Sequence, residues 1–167
     1  LGFKRVCVIP EGLNFKPLRR VPRKEKHPVV AYVGRLRRAK RPDHAVRAFQ
    51  IVREKVPEAE LWVIGDGAFR KDSEKMAKDG VRFFGRLSNE ERRRLIKKAW
   101  VLVNPSIREG WGLNVLEANA LGTPCIGYDV PGLKDSVGNG ETGVLVKTGD
   151  IQTLGWEMLE FLRDKRA

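Results

Sequence analysis

The sequence predicts an α/β protein with an open, doubly wound, mainly parallel sheet, and two observations support this fold class. Short apolar runs alternate along the chain with longer amphipathic stretches, which is the arrangement of βαβ units. Glycines and charged residues concentrate directly after the apolar runs, at the carboxyl ends of the predicted strands. Open parallel sheets bind their ligands at that edge, so we expect a ligand site there.

The predicted strands are the apolar runs Val29–Val33, Glu60–Ile64, Val81–Phe84, Trp100–Val103, Pro124–Tyr128 and Gly143–Val146. The helices expected between and after them are Asp43–Lys55, Phe69–Lys78, Ser88–Ala99, Trp111–Leu121 and Asp150–Arg163. Asp43 and Asp150 are suitable N-caps for their helices. Ser88 and Glu91 have the spacing of a capping box. Gly122 suits the left-handed residue that closes a helix.

Residues 1–28 are expected to lie outside this sheet, as an initial strand and an interdomain connection. The apolar run Arg5–Pro10 predicts a short strand, and the stretch after it is rich in proline and charge, which is typical of an exposed connection. The main domain is then expected to span residues 29–167.

The composition limits the class of protein. A chain of 167 residues with 41% hydrophobic residues has enough material for one packed core and is not disordered. Cys7 and Cys125 lie in apolar runs and are expected to be buried thiols. With only His27 and His44 besides, no metal cluster is expected. The chain shows no apolar run of membrane-spanning length and no signal-peptide pattern, which favours a cytoplasmic location.

The formal net charge of +12 leaves three kinds of partner open: nucleic acid, an anionic membrane surface and anionic small molecules. Many basic residues are interleaved with glutamates on predicted helices, as Arg92–Arg94 are, which is typical of a solvated face. No RNA-binding or zinc-finger pattern accompanies them, so a nucleic-acid partner is not expected.

The strongest chemical signal lies between Asn104 and Gly122, where a turn-rich loop leads into a predicted helix. A helix start favours a phosphate because its N–H groups are unpaired and carry partial positive charge, and Gly110 and Gly112 would let a ligand approach closely. Glu109 precedes the helix, and Glu117 lies about 8–9 Å along it. A ligand with a central diphosphate would therefore meet a carboxylate on each side. Taken alone, such a pair is more often structural, with Glu117 as a solvated helix residue and Glu109 as a carboxylate that favours the dipole of the helix start.

The stretch Pro105–Ala118 resembles the donor-site segment of retaining GT-B glycosyltransferases (group 1, family 4), which include many bacterial and archaeal mannosyl- and glucosyltransferases. It shares the pattern Pro-Ser-x-x-Glu-Gly-x-Gly-Leu-x-x-Leu-Glu-Ala, with the same separation of the two glutamates. Further matching stretches are Val8–Gly12, Gly34–Lys40, Gly65–Gly67, Val81–Leu87, Val130–Asp135 and Gly140–Val146. The resemblance implies a Rossmann-like, nucleotide-sugar-binding C-terminal domain. In that family an N-terminal acceptor domain precedes it, which we expect to lie outside this chain.

The resemblance also implies roles for individual residues. Arg35 and Lys40 would grip the donor diphosphate and Glu109 would contact the donor sugar, and these three are the candidate catalytic residues. Glu117 would accept hydrogen bonds from the ribose hydroxyls. The expected donor-binding residues are Gly34, Gly65, Gly67, Arg86, Leu87, Gly110, Trp111, Gly112, Leu113 and Glu117. The family usually has glycine after the lysine, where this chain has Arg41, so the form of that turn stays open.

The sequence therefore predicts the donor domain of a retaining glycosyltransferase that moves a hexose from a nucleoside diphosphate sugar to an acceptor hydroxyl. No cofactor or divalent metal is expected, because the chain has no Asp-x-Asp motif and fixed cations would take the metal's place. Two other classes stay open: a nucleotide-sugar epimerase or hydrolase on the same fold, and a basic module for nucleic acid or membrane. The basic surface is compatible with a location peripheral to the membrane.

Overall fold

The computed structural model describes residues 12–13, 18, 20 and 22–163. The strand predicted over residues 5–10 and most of the connection predicted over residues 1–28 lie outside this described part. Within it, six parallel strands form one sheet in the order β3-β2-β1-β4-β5-β6. The strands are β1 Val29–Val33, β2 Glu60–Ile64, β3 Val81–Gly85, β4 Val101–Asn104, β5 Cys125–Tyr128 and β6 Gly143–Val146.

Helices flank the sheet and connect its strands. They are α1 Pro42–Lys55, α2 Arg70–Met76, α3 Asn89–Lys98, α4 Leu113–Ala120, α5 Leu133–Ser136 and α6 Ile151–Arg163, with a 3-10 turn at Arg38–Lys40 before α1. This architecture confirms the predicted doubly wound, Rossmann-like α/β class, and the sheet is parallel throughout. The short helix α5 had no counterpart in the sequence prediction.

The strand order reverses at the centre of the sheet, between β1 and β4. From β1 the chain moves outward through β2 to β3, and it then returns to place β4 on the other side of β1. Every residue of β1 and β4 is buried, which explains why both strands are almost continuously apolar. The loops that follow these two strands diverge to opposite sides of the sheet, and such a switch point opens a crevice at the carboxyl edge.

Three of the predicted helix boundaries are confirmed in detail. Ser88 caps α3 and forms the full capping box with Glu91. The carboxylate of Asp150 accepts a hydrogen bond from the backbone N–H of Thr153 at 2.9 Å, as an N-cap does. Gly122 has a φ of +73° and follows α4 as the left-handed residue.

Two predicted helix starts are wrong. Asp43 is not an N-cap, because α1 begins at Pro42 and its N-cap is Arg41. Proline suits the first helical position, where its missing N–H has no partner to lose. The helix α4 begins at Leu113 rather than Trp111, because Gly112 is in the left-handed conformation with a φ of +67°. Glu117 therefore lies about 6 Å from the helix start, closer than predicted.

The close packing of α6 against α1 depends on Gly155 in the middle of α6. A Cβ atom at this position would lie 2.8 Å from the carbonyl oxygen of Ala48 and 2.8 Å from the Cδ1 atom of Ile51. Glycine inside a helix normally costs about 1 kcal/mol relative to alanine. The absence of a side chain is therefore what lets the two helices approach.

We predict that Gly155→Val lowers the free energy of unfolding by about 1–3 kcal/mol, because the added atoms overpack this contact. Urea unfolding followed by circular dichroism measures the difference. The matched control is Gln152→Val, which places the same β-branched residue at an exposed position of the same helix. A loss no larger than that of the control would contradict the packing role.

Candidate functional site

A cleft of about 520 Å³ opens at the carboxyl ends of β1 and β4, where the switch point predicts a site. A smaller cavity of about 170 Å³ adjoins it. The two share Val33, Gly34, Arg35 and Arg92 in their walls, so they form one continuous groove. Most of the candidate residues line this groove; they are Gly34, Arg35, Lys40, Gly65, Arg86, Leu87, Glu109, Gly110, Trp111, Gly112, Leu113 and Glu117.

The glycines after β1 and β2 hold two loops in direct contact. A Cβ atom at Gly65 would overlap the carbonyl oxygen of Gly34, and one at Gly67 would overlap that of Leu36. The backbone N–H of Leu36 also donates to the carbonyl oxygen of Asp66 at 2.9 Å. Gly34 and Gly65 line the groove, but Gly67 is not among its lining residues and serves the contact between the loops.

Lys40 and Glu109 form an ion pair across the cleft, with 2.7 Å between Nζ and Oε2. Lys40 comes from the loop after β1 and Glu109 from the loop after β4, so the pair joins the two sides of the switch point. The hydroxyl of Tyr32 donates to the carbonyl oxygen of Lys40 at 3.2 Å, which fixes the turn that carries the lysine. The side chains of Lys40 and Glu109 remain 24% and 15% exposed, so a ligand can reach both.

Arg35 lies in the shared wall of the cleft and the smaller cavity, and it is exposed. Its guanidinium makes no hydrogen bond or ion pair with the rest of the described chain. An arginine in a groove with all its N–H groups available is suited to a bidentate contact with an anion. The structure thus brings all three candidate catalytic side chains to one cleft.

The turn between Lys40 and α1 forms without the glycine that the resemblance led us to expect. Arg41 adopts the left-handed conformation itself, with a φ of +47°. Its guanidinium donates to both carboxylate oxygens of Asp43, at 3.1 and 2.7 Å, and contacts Nε2 of His44. The other ring nitrogen of His44 shares a hydrogen bond with the hydroxyl of Tyr128 at 2.7 Å. These contacts compensate for the strain of a left-handed arginine.

Glu117 is the most enclosed charged group of the cleft, with a relative exposure of 6%. Arg92 binds both of its oxygens, with Nε 3.0 Å from Oε2 and Nη2 2.8 Å from Oε1. Arg93 donates from Nε to the same Oε1 at 3.1 Å. A buried carboxylate requires such partners, because an unpaired charge would be costly there.

The prediction of a solvated face for Arg92–Arg94 missed this contact. Arg94 is exposed, as a solvated face requires. Arg92 and Arg93 instead line the groove and contact Glu117. Helical spacing distinguishes them in part, because Arg92 lies three and four residues before the buried Leu95 and Ile96 and shares their face of α3. The sequence does not show that α3 packs against α4, which carries Glu117.

The start of α4 forms one wall of the cleft. A Cβ atom at Gly112 would lie 2.6 Å from Oγ of Ser136, so this left-handed position requires glycine. Gly110 has open space around it. Trp111 lines the cleft, but its indole N–H is buried and finds no acceptor in the described part of the chain. Leu113 is 40% exposed at the mouth of the cleft.

Three uncharged polar side chains that were not among the predicted site residues also line the cleft. The amide of Asn104 donates to Oδ1 of Asn114 at 3.1 Å, and the amide of Asn114 donates to the carbonyl oxygen of Val33 at 2.7 Å. The hydroxyl of Ser106 donates to Oδ1 of Asn104 at 2.6 Å. These hydrogen bonds connect the end of β1 with the end of β4 and with α4.

The described residues contain no group of three or more His, Cys, Asp or Glu side chains arranged to hold a metal ion. Among the described helices, none is both long enough and apolar enough to cross a bilayer.

Cys125 is a fully buried free thiol, and burial raises its pKa far above the usual range, so it stays protonated. Cys7 lies outside the described residues.

The groove, with its cations and the carboxylates of Glu109 and Glu117, lies at the switch point of a doubly wound sheet. This arrangement defines an α/β protein with a cleft suited to an anionic ligand. The chain belongs to the family described as glycosyl transferases group 1, whose sequence profile matches residues 15–167. The family resemblance predicted from the sequence is thereby confirmed.

The chain is also similar in sequence to curated glycosyltransferases and related synthases. The chain is 31% identical over 150 residues to a poly(glycerol-phosphate) alpha-glucosyltransferase of Bacillus subtilis, covering 84% of this chain and 21% of that protein. It is 30% identical over 146 residues to an N-acetyl-alpha-D-glucosaminyl L-malate synthase of Bacillus anthracis, covering 84% of this chain and 38% of the relative. The chain thus spans well under half the length of either relative.

Solved structures share the fold. TarM of S. aureus, solved with fondaparinux, alpha-GlcNAc-glycerol and UDP, superimposes with a TM-score of 0.82 at 21% identity, over 92% of this chain and 32% of TarM. A sucrose-phosphate synthase from Thermosynechococcus elongatus gives a TM-score of 0.76 at 33% identity, over 83% of this chain and 37% of the synthase. Anabaena HepE, solved with UDP and glucose, gives 0.74 at 19% identity, over 84% of this chain and 40% of HepE.

His44 links the stability of this region to pH. Burial lowers its pKa, and the neighbouring Arg41 lowers it further, against the weaker opposing effect of Asp43. The unfolded chain, with a histidine pKa of about 6.5, therefore binds a proton at a pH where the folded chain still keeps the imidazole neutral. Stability is then lost as the pH falls below that value.

We predict that the free energy of unfolding falls between pH 7 and pH 5.5, and that His44→Gln reduces this fall. Urea unfolding at a series of pH values measures it. His27→Gln is the control, since it removes the other histidine of the chain. Equal pH dependence in the wild type and in His44→Gln would show that the buried imidazole is not the source.

Proposed function

We propose that this chain is the donor-binding domain of a retaining glycosyltransferase, which transfers a hexose from a nucleoside diphosphate sugar to an acceptor hydroxyl. The observation that carries the proposal is the single groove that gathers Arg35, Lys40, Glu109, the start of α4 and Glu117. Family membership supports the reaction class. The acceptor oxygen would bond to the anomeric carbon, while the bond from that carbon to the diphosphate breaks and the phosphate takes both the electron pair and the acceptor proton.

The diphosphate would lie between the start of α4 and the cations of the loop after β1. Its negative charge increases as the bond to the sugar breaks, so groups that are already in place stabilise the leaving group most effectively. Lys40 has three N–H donors; one bonds Glu109 at 2.7 Å and a second makes a long contact of 3.5 Å with the carbonyl oxygen of Arg108, which leaves one for a phosphate oxygen. Arg35, from the same loop, would add a bidentate contact through its guanidinium.

The two carboxylates would recognise the two ends of the donor. Glu109, beside Lys40, would accept hydrogen bonds from the sugar hydroxyls next to the reacting carbon. Glu117 would accept from the ribose, and the adjoining cavity lined by Arg86 and Leu87 would hold the base. Names of the relatives, which include a glucosyltransferase, and structural neighbours solved with UDP support a nucleotide sugar as the donor.

We also propose that the reaction needs neither a metal nor a cofactor, since Arg35, Lys40 and the helix start supply the positive charge. An N-terminal domain of the same enzyme would bind the acceptor, as the family resemblance implies, so this chain alone would bind donor without turnover. A cytoplasmic enzyme at the membrane surface would fit the net charge of +12.

We predict that one of UDP, GDP and ADP binds this chain in a calorimetric titration. Arg35→Ala and Lys40→Ala should each weaken that binding by about 10–100-fold, since each removes charge-assisted hydrogen bonds to the diphosphate. Lys71→Ala is the matched control, because Lys71 is exposed on α2, outside the groove, and its loss changes the net charge equally. Glu117→Ala should also weaken binding.

Other results would contradict the proposal. Failure of every nucleotide to bind, both to this chain and to a longer chain that contains it, would remove the donor site. Binding unaffected by Lys40→Ala would remove the diphosphate contact. Conversion of a nucleotide sugar in the absence of any acceptor would instead indicate an epimerase or hydrolase. Nucleic-acid binding that weakens steeply with salt, and that substitution of Glu109 or Glu117 leaves unchanged, would indicate a basic binding module.

A further inference from the structure

Arg92 stands where the two parts of the groove meet. It lines both the main cleft and the adjoining cavity, and few side chains of the groove do so. Its Nη1 donates to Oδ1 of Asn89 at 2.9 Å, while Nε and Nη2 bind the two oxygens of Glu117. The guanidinium is thus fixed from both sides and presents Glu117 in one orientation.

The hydrogen bonds of Glu117 leave it limited room for a ligand. A carboxylate offers about four acceptor positions. Its Oε1 accepts from Arg92 and from Arg93, while Oε2 accepts from Arg92. The open acceptor position is therefore on Oε2, and the fork of Arg92 determines where that position points.

We propose that Arg92 is a positioning residue for ribose recognition, acting through Glu117. This inference rests on the proposed function, in which Glu117 accepts a hydrogen bond from a ribose hydroxyl. Without Arg92, the carboxylate keeps Arg93 on Oε1 but loses the bidentate contact that fixes the direction of Oε2. The chain should then still bind the diphosphate and base of a nucleotide while distinguishing poorly between a ribose and a sugar without hydroxyls.

The neighbouring residues allow a clean comparison. Arg94 lies on the same helix, is exposed, and does not line the groove within the described residues. Arg94→Ala therefore removes the same charge from the same helix without touching Glu117. Arg92→Lys keeps the charge but cannot reproduce the planar fork on both oxygens, so it separates geometry from electrostatics.

The test measures a ratio of affinities. The nucleoside diphosphate that binds this chain and its 2′,3′-dideoxy analogue are titrated calorimetrically into the wild type, Arg92→Ala, Arg92→Lys and Arg94→Ala. A hydrogen bond to a charged group predicts that the wild type prefers the ribonucleotide by about 10–100-fold. We expect this preference to fall to about threefold or less in both Arg92 variants and to persist in Arg94→Ala.

Circular dichroism checks that each variant folds. If Arg92→Ala fails to fold, Arg92→Lys alone provides the test. Equal loss of affinity for both ligands would overturn the inference, because Arg92 would then act only through its charge or on stability. A gain in ribonucleotide affinity would also overturn it, since Arg92 would then compete with the ribose. A wild type that binds both ligands equally would remove the ribose role of Glu117, while the donor site itself would stand.

Discussion

The pairing of β1 with β4 is the constraint on which the other features depend. It brings together two strands that are far apart in the chain, and it sends their following loops to opposite sides of the sheet. Lys40 reaches the cleft from one of these loops and Glu109 from the other. The hydrogen bonds from Asn104 through Asn114 to Val33 hold the two strand ends together at the floor. The sheet topology therefore forms the cleft, and the side chains that line it determine its charge and polarity.

Charge in this cleft is arranged in pairs of unequal exposure. Lys40 and Glu109 are partly accessible, so an incoming anion can share the lysine without breaking the pair. Glu117 is buried and pairs with two arginines, of which Arg92 is the less exposed, so its pair with Arg92 is screened by water less than its pair with Arg93. The first pair is suited to a group whose charge changes during a reaction. The second is suited to holding a neutral polar group in a fixed place.

The sequence predicted the fold well because its signals are local. Apolar runs defined the strands, and the capping box at Ser88 and the glycine at position 122 defined helix ends that the structure confirms. The candidate site residues were chosen where they follow strands or belong to the segment that leads into and forms α4, including Glu117 inside that helix. Arg92 and Arg93 were missed because their partner Glu117 is distant in sequence and becomes a neighbour only when α3 packs on α4. Asp43 was misassigned because its carboxylate binds the side chain of Arg41 instead of the helix N–H groups.

The left-handed arginine at position 41 has a consequence for the unfolded chain. A glycine there would adopt the turn without strain, but it would also give the unfolded chain more conformations to lose on folding. An arginine gives the unfolded chain fewer conformations than a glycine. In the folded chain, the hydrogen bonds from Arg41 to Asp43 stabilise the turn. In the folded chain the hydroxyl of Tyr32 also holds the carbonyl oxygen of Lys40, so the turn that carries the ammonium group is fixed on both sides. A cation carried by such a turn needs little reorganisation when negative charge appears beside it.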